Sequence, residues 1–436
     1  MTSKSRTPGR TGSTRRAVLK AGAAGAAGAA ALSAGFPSIV RAADTVRIGY
    51  VSPKTGPLAP FAEADEFNVA SVLEAIGGKV ESASGSLDVE IIVKDSQSNP
   101  NRAAEVASEL ILSDEVHLLC AGNTPETTNP VADQAEINEV PCVTTLCPWQ
   151  PYFFGRGGNP AEGFQWTYHY FWGLEDIIAV FLNLWNKLET NKVVGGLYPN
   201  DGDGNAWGDP ELGFPKPLAG AGYTLIDPGR YQNLSDDFSA QISEFKDAGA
   251  EIVTGVVLPP DFTTFWTQSA QQGFRPKAAT VGKALLFPVS VEALGDAGHN
   301  LSSEIWWSPS HPFTSSLTGQ TCGELAAAFT AATGKQWSQP VGYGHSIFEV
   351  ALDIVSRADD INDPESMLAS IVSTNVSTIA GPVSWGSGPV KNVAKMPLVG
   401  GQWRRTPDGP FGYDLVVTSN ETAPDVPAGG DMEAIG

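Results

Sequence analysis

The sequence predicts an α/β protein of two domains in tandem, each a mostly parallel sheet with helices on both faces. Three observations carry that expectation. At 436 residues the chain is too long for one ordinary core, so two domains are the natural division. Apolar residues make up 42% and charged residues 17%, the balance of a folded globular protein rather than a disordered one. Short strand-like runs alternate with helix-like segments, the pattern of parallel strands joined by crossover helices.

In chain order, residues 45–51 (TVRIGYV) predict the first strand, and after a Gly-Pro turn Val69, Val72, Leu73 and Ile76 recur at helical spacing. Residues 88–94 (DVEIIVK) predict the next strand, followed by a helix over 102–112. Residues 116–120 (VHLLC) are followed by a helix from about Thr127, and 141–146 (PCVTTL) end in a loop. A second series begins near Tyr168, with a helix through Ile177, Phe181 and Leu184, a strand at 192–198 (KVVGGLY) and a helix carrying Phe238, Ile242 and Phe245. A strand at 251–257 (EIVTGVV), a helix over 262–272 and a strand within ATVGKALLFP, residues 279–288, complete it. After Trp307 the chain turns helical over 321–332, 345–356 and 364–373, and strands return only near 382–403. Helices without a sheet of their own are expected to complete an earlier domain.

The first 42 residues differ from the rest, holding seven basic residues and no acidic one. STRRAVLK, residues 13–20, reads as a twin-arginine segment, and the Ala/Gly-rich run over 21–36 as its apolar region, too short and too weakly apolar to span a bilayer. Val40-Arg41-Ala42 fits a cleavage site before Ala43, so export is expected, with no membrane insertion after cleavage. A disordered basic tail would not place these three features in this order. Removing the segment takes the formal charge from −21 to −28, with 20 basic residues against 48 acidic, which argues against a nucleic-acid partner. None of the four cysteines, Cys120, Cys142, Cys147 and Cys322, lies near the cleavage site, so no lipid anchor is expected. After export a disulfide is permitted; Cys120 and Cys147 can approach if both sit at the same ends of neighbouring strands, and the pairing stays open.

Catalytic and cofactor motifs are lacking. Lys283 follows Gly282, but a phosphate loop needs a glycine where Lys277 stands and a hydroxyl where Ala284 stands. Asp201, Asp203 and Asn205 have calcium-loop spacing without its glycine at the sixth position or glutamate at the twelfth, so a polar surface loop is the expectation. No His-x-x-x-His pair and no Gly-x-Ser-x-Gly elbow occurs. His117 reads as a satisfied core residue in a strand, and His311 stands beside Pro312 in an expected hinge. Neither an enzyme nor a bound metal or cofactor is expected.

The blocks IGYVSPKTGPLAPF, VKDSQSNPNRAAEVASELI, LLCAGNTPETTNPVADQAEINEVPCVT and the late GPVSWGSG stand in an order that resembles the branched-chain amino-acid-binding protein family. These are type I periplasmic solute-binding proteins of ATP-driven importers, and the resemblance runs through nearly all of the chain after the export segment. It implies two lobes joined by three crossings, with a solute held at the carboxyl ends of the strands. Lobe 1 would take 44–167 plus 308–378, lobe 2 would take 168–307 plus 379–403, and 404–436 would form a C-terminal extension. The implied partners are a small organic solute and the membrane permease and ATPase of an ABC importer, in the periplasm or outside the cell; a ligand sensor acting on a membrane signalling protein is the alternative.

The resemblance also implies site positions. The aromatic residue after the Gly-Pro turn matches Phe61, which would either cover an apolar ligand face or pack in the core. The loop that opens a helix and takes the ligand carboxylate matches Asn123, Thr124, Glu126 and Thr127, where Pro125 removes a donor and Glu126 adds a negative charge. A second carboxylate loop matches Cys147, Pro148 and Trp149, with Thr145 just before and a ring where the family carries a threonine. In the second lobe Trp207 matches a family tyrosine, and the pocket tyrosine falls at Pro259. Lys283 stands where amino-acid binders of the family carry an acidic partner for the ligand ammonium. It would meet an anionic ligand group, or Glu126 across the cleft, or face solvent at the rim. A carboxylate or aromatic-bearing solute is therefore expected in preference to leucine.

Overall fold

The computed structural model describes residues 45–83 and 85–436. The export segment expected over 1–42 lies outside the described residues. Early in the chain come strands Thr45–Ser52 (β1), Lys79–Ser82 (β2), Gly85–Asp95 (β3), Leu118–Gly122 (β4), Cys142–Thr145 (β5) and Thr167–Tyr170 (β6). The middle supplies Val193–Pro199 (β7), Thr224–Ile226 (β8), Arg230–Tyr231 (β9), Ile252–Val257 (β10), Ala278–Lys283 (β11) and Ser302–Ile305 (β12). The last are Asn375–Thr378 (β13), Gly381–Ser384 (β14), Val393–Ala394 (β15), Val399–Arg405 (β16) and Tyr413–Ser419 (β17).

They form two large sheets, ordered β15-β6-β5-β4-β1-β3-β2 and β17-β16-β12-β11-β10-β7-β8, with β9 beside β7 and β13–β14 as a separate hairpin. All pairs are parallel except β2 with β3, β12 with β16, β16 with β17, and the hairpin. Each sheet defines a lobe. The chain passes from the first to the second after β6, returns after β12, and crosses once more between β15 and β16, which gives the three crossings the fold requires.

Local chemistry explains the elements that frame the cleft. The helix Pro100–Leu112 starts where the Asn99 side chain accepts from the N–H groups of Asn101 and Arg102. Its Ala103, Val106, Ala107, Leu110 and Ile111 recur on one face and pack with Val51, Leu119 and Ala121 of the first sheet. On the sheet's other face the helix Pro340–Arg357 is buried over most of its length. Its Gly342 lets the backbone approach the crossing segment, since a Cβ there would sit 2.3 Å from the Trp307 ring.

Sheet membership departs from the expected division in three places. The segment near Tyr168, expected to open the second lobe, is β6, which pairs with β5 in the first sheet. Within 379–403, β15 pairs with β6 at the edge of the first sheet; two residues are too few to carry a readable pattern. The expected extension over 404–436 holds β17, which pairs with β16 in the second sheet and buries Tyr413, Leu415 and Val417 on alternate positions. All four cysteines are free and buried. β4 and β5 set Cys120 opposite Val143, and Cys147 lies two residues past the end of β5, so the approach considered for Cys120 and Cys147 does not become a bond.

Candidate functional site

The carboxyl ends of β5 in the first lobe and β11 in the second share a backbone feature. Leu146, just past β5, has φ 69°, and Lys283, the last residue of β11, has φ 59° and ψ −68°. A side-chain-bearing residue in such a conformation costs on the order of 1–3 kcal/mol and persists only where its surroundings over-determine it. Around Lys283 those surroundings are acidic.

The Lys283 ammonium lies 2.8 Å from Asp203 Oδ2, 3.5 Å from Asp201 Oδ2 and 3.9 Å from Glu126 Oε2. With a side chain only 5% exposed, it does not face solvent at the rim. Asp201 and Asp203 come from one structure, the helix Gly202–Trp207. Asp201 caps it by accepting from the Gly204 N–H at 2.8 Å, which sets Asp203 in the first turn, facing β11. Burial works against the lysine charge, but Asp201, Asp203 and Glu126 outweigh it and hold the ammonium well above the ordinary lysine pKa. Burial also opposes charge on Asp201, yet Lys283, Asn233 and the Gly204 N–H bring its carboxyl below the usual range. For Asp203 burial wins, and its carboxyl rises to about 7 against the pull of Lys283. On β12, burial raises Glu304 to about 7 although Ser303 Oγ donates to it at 2.8 Å.

Of these groups Asp203, Lys283 and Glu304 border a small cavity of about 30 Å³ between the lobes. Its first-lobe wall is Phe61, Thr124, Leu146, Pro148 and the segment Phe171–Trp172; its second-lobe wall includes Asp203, Trp207, Lys283 and Glu304, and Trp306 lines it as well. Several polar atoms of the lining are buried without a partner: Thr124 Oγ1, Trp172 Nε1, Asp203 Oδ1 and Trp207 Nε1. Buried polar groups are nearly always satisfied, so these atoms are completed either by ordered water or by an incoming molecule. The lobes touch across the cleft. The Gly202 N–H donates to Glu126 Oε1 at 2.7 Å, and the Phe61 ring meets Phe287 edge-on at 4.9 Å. A larger recess of about 480 Å³ at the rim, bordered by Glu126, Gln150, Phe154 and Leu212, is open to solvent.

Of the positions expected from sequence, Phe61, Thr124, Trp207 and Lys283 line the cavity, and Glu126 stands at its edge. The others are placed apart from it. Asn123 Oδ1 accepts from the Thr124 N–H at 3.0 Å and shapes that loop. Thr127 Oγ1 turns back to the Thr124 carbonyl at 3.5 Å, and Thr145 Oγ1 donates to the Tyr170 carbonyl at 2.6 Å inside the first sheet. Cys147 packs with Tyr152 and Phe153, and its carbonyl meets His169 Nε2 at 2.8 Å. Trp149 points away, its indole N–H donating to Glu175 at 3.2 Å and its ring lying against Phe153 and Phe154. Pro259 opens the helix Pro259–Gln271, and Val256 borders the cavity in its stead. The polar-loop reading of Asp201 and Asp203 gives way to a buried ion-pair cluster. Among the described residues no group of three or more His, Cys, Asp or Glu is placed to hold a metal ion.

Sequence reasoning missed Trp172, Glu304 and Trp306. A signal was present: the run SSEIWW places a carboxylate in an otherwise buried strand, followed by two indoles at a lobe crossing. His117 and His311 have structural partners, the Arg47 N–H at 2.9 Å and Ser308 Oγ at 2.9 Å.

A family model described as periplasmic binding protein matches residues 45–408. Among solved structures, a leucine-binding protein LivK from Thermotoga maritima shares 19% identity over 85% of this chain and 97% of its own, with a TM-score of 0.68. A solute-binding protein of an ABC transporter from Rhodopseudomonas palustris, in complex with 4-hydroxybenzoate, shares 18% over 88% and 98%, with a TM-score of 0.70. The branched-chain amino-acid substrate-binding protein LivJ from Streptococcus pneumoniae, in complex with isoleucine, shares 14% over 90% and 99%, with a TM-score of 0.65. A comparison with curated proteins finds no matching sequence.

Proposed function

The chain belongs to the periplasmic binding protein family, and from that premise we propose that it captures a small organic solute between its lobes and delivers it to the permease and ATPase of an ABC importer. The family is one of binding proteins rather than enzymes. One observation carries the reading: four buried polar atoms without partners line a small cavity at the carboxyl ends of both sheets, where open α/β sheets take their ligands. The solute is amino-acid-like, a carboxylate or an aromatic compound in class, and Phe61, Thr124, Trp207 and Lys283 border its place together with Asp203 and Glu304.

A space of about 30 Å³ holds one or two waters. Sites for small organic molecules run to about 300–1,000 Å³. Uptake therefore requires the lobes to part, and the Glu126–Gly202 and Phe61–Phe287 contacts are remade as they close. The twin-arginine segment over 1–42 routes the chain to the periplasm or cell exterior; no described helix is long and apolar enough to cross a membrane.

Native mass spectrometry of the full chain, incubated with a library of amino acids, aromatic acids, amines and amides, tests the proposal. A one-to-one adduct that is lost in Trp207→Ala is the expected result. Absence of any adduct across the library, or an adduct indifferent to Trp207→Ala, would sink it.

A further inference from the structure

The charge around the cavity argues for a narrower ligand class than the fold does. Four carboxyl groups, Asp203 and Glu304 in the lining and Asp201 and Glu126 beside Lys283, stand against the single ammonium of Lys283. That ammonium is already engaged by three of them within 3.9 Å, so a ligand carboxylate could recruit it only by uncovering a buried aspartate. Breaking a buried ion pair in that way costs several kcal/mol.

The usual alternative for an anion is a helix N-terminus, and here that position is compromised. At the start of the helix Pro125–Ile137, Pro125 has no N–H, and the N–H groups of Thr127 and Thr128 donate to the Thr124 carbonyl. Glu126 turns its own carboxylate to the Gly202 N–H and the Lys283 ammonium. The cavity's unmet acceptor, meanwhile, is Asp203 Oδ1, on a residue 97% buried and bordering the space. In its ionised form that oxygen accepts a donor. The rings of Phe61, Phe171, Trp172, Trp207 and Trp306 also belong to the wall, and aromatic faces favour a cation by about 0.5–2 kcal/mol.

We infer that the cleft selects an amine: a protonated nitrogen on an apolar body, without a free carboxylate, its ammonium donating to Asp203 Oδ1 within reach of Glu304 and the surrounding rings. The unpartnered indole N–H groups of Trp172 and Trp207 then serve a neutral acceptor, a hydroxyl or carbonyl, on that body. A cation at this point also restores charge to two carboxyls that burial holds near neutrality. The inference rests on the solute-binding reading above, and it narrows the solute class given there by leaving out its carboxylate members.

Calorimetric titration with two shape-matched series provides the test: 3-phenylpropylamine, 3-phenylpropionamide and 3-phenylpropionate, and 4-methylpentylamine, 4-methylpentanamide and 4-methylpentanoate. In at least one series the amine is expected to bind about tenfold or more tightly than its carboxylate, a difference of about 1.4 kcal/mol. Asp203→Asn and, as a variant that leaves the lysine pair intact, Glu304→Gln are expected to reduce amine binding by about tenfold without improving the amide. A carboxylate that binds as tightly as its amine, or failure of both amines, overturns the inference. A carboxylate adduct in the library experiment would leave the solute-binding reading standing, whereas silence across every class removes both.

Discussion

The two walls of the cleft have the same architecture and opposite chemistry. In the first lobe the kinked strand end is Leu146, surrounded by Phe61, Thr124 and Pro148; in the second it is Lys283, held among Asp201, Asp203 and Glu126. The first wall supplies shape and the second supplies charge. A parallel sheet aims its strand ends at the cleft whatever residues occupy them, so topology fixes where the site lies and side chains alone decide what it prefers. The division of labour can be broken from either side.

The largest effect is expected at the paired strand ends. Lys283→Met leaves Asp201 and Asp203 buried without their cation, and should cost about 3–5 kcal/mol of folding stability. Leu146→Ala, at the matching point of the first lobe, removes apolar contact beside existing space and should cost about 2 kcal/mol, the low end for a buried leucine. Urea unfolding of both variants measures the contrast, and adding Asp203→Asn to Lys283→Met should recover part of the loss while leaving Leu146→Ala untouched. Equal costs for the two single variants would mean that the lysine is no more than a spacer.

The same contrast separates what was legible in sequence from what was not. TVRIGYV and KVVGGLY announce central strands because both faces are buried and β-branched residues fill them, whereas β15 has only two residues and takes its place from its neighbour. Phe61, Thr124, Trp207 and Lys283 were reachable through the family resemblance, which places each beside a recognisable strand or turn. Trp149 was not, because the short helix Trp149–Phe153 rotates its ring into the lobe. Trp172 and Trp306 reach the cavity from crossings between lobes, whose direction depends on both sheets at once. Lys283 was singled out from sequence, yet its two aspartate partners lie 80 and 82 positions away, at a helix formed by a segment that reads as loop.

Acid should act on the first lobe and alkali on both. Burial raises Asp203 and Glu304 in the second lobe, and Asp65 in the first, to about 7. The folded protein keeps these protons when the unfolded chain has lost them, so stability falls as pH rises through 7. Burial lowers His169 to about 3 and His311 and His345 to about 4. There the unfolded chain takes up protons that the folded protein refuses, so stability falls as pH drops below the ordinary histidine value of about 6.5. The melting temperature should therefore rise as pH falls from about 8.5 to 6.5 and change little from there to about 5, where the two effects offset. Asp203→Asn with Glu304→Gln should flatten the alkaline limb. An undiminished slope in that double variant would assign the titration to the first lobe instead.

The smallest effects concern contacts that exist only while the walls meet. Phe61→Ala removes an edge-on ring pair with Phe287, worth about 0.5–1.5 kcal/mol. Glu126→Gln weakens the acceptor for the Gly202 N–H and takes one charge from the lysine cluster. Because the Glu126 side chain is 26% exposed, solvent screens it, and about 0.5–1 kcal/mol is the appropriate scale. Neither change should lower folding stability by more than these amounts, since each lobe keeps its own sheet and helices, but both should shift the closed arrangement toward an open one. A pair of spin labels at exposed Leu112 in the first lobe and Leu234 in the second would read the change as a longer interlobe distance. Phe61→Ala tests the wall that supplies shape, and Glu126→Gln tests the first lobe's one contribution to the charged wall. If the phenylalanine variant opens the cleft and the glutamine variant does not, closure is driven by apolar contact and the charge serves selection alone; the reverse outcome would make the acidic cluster a latch as well as a filter.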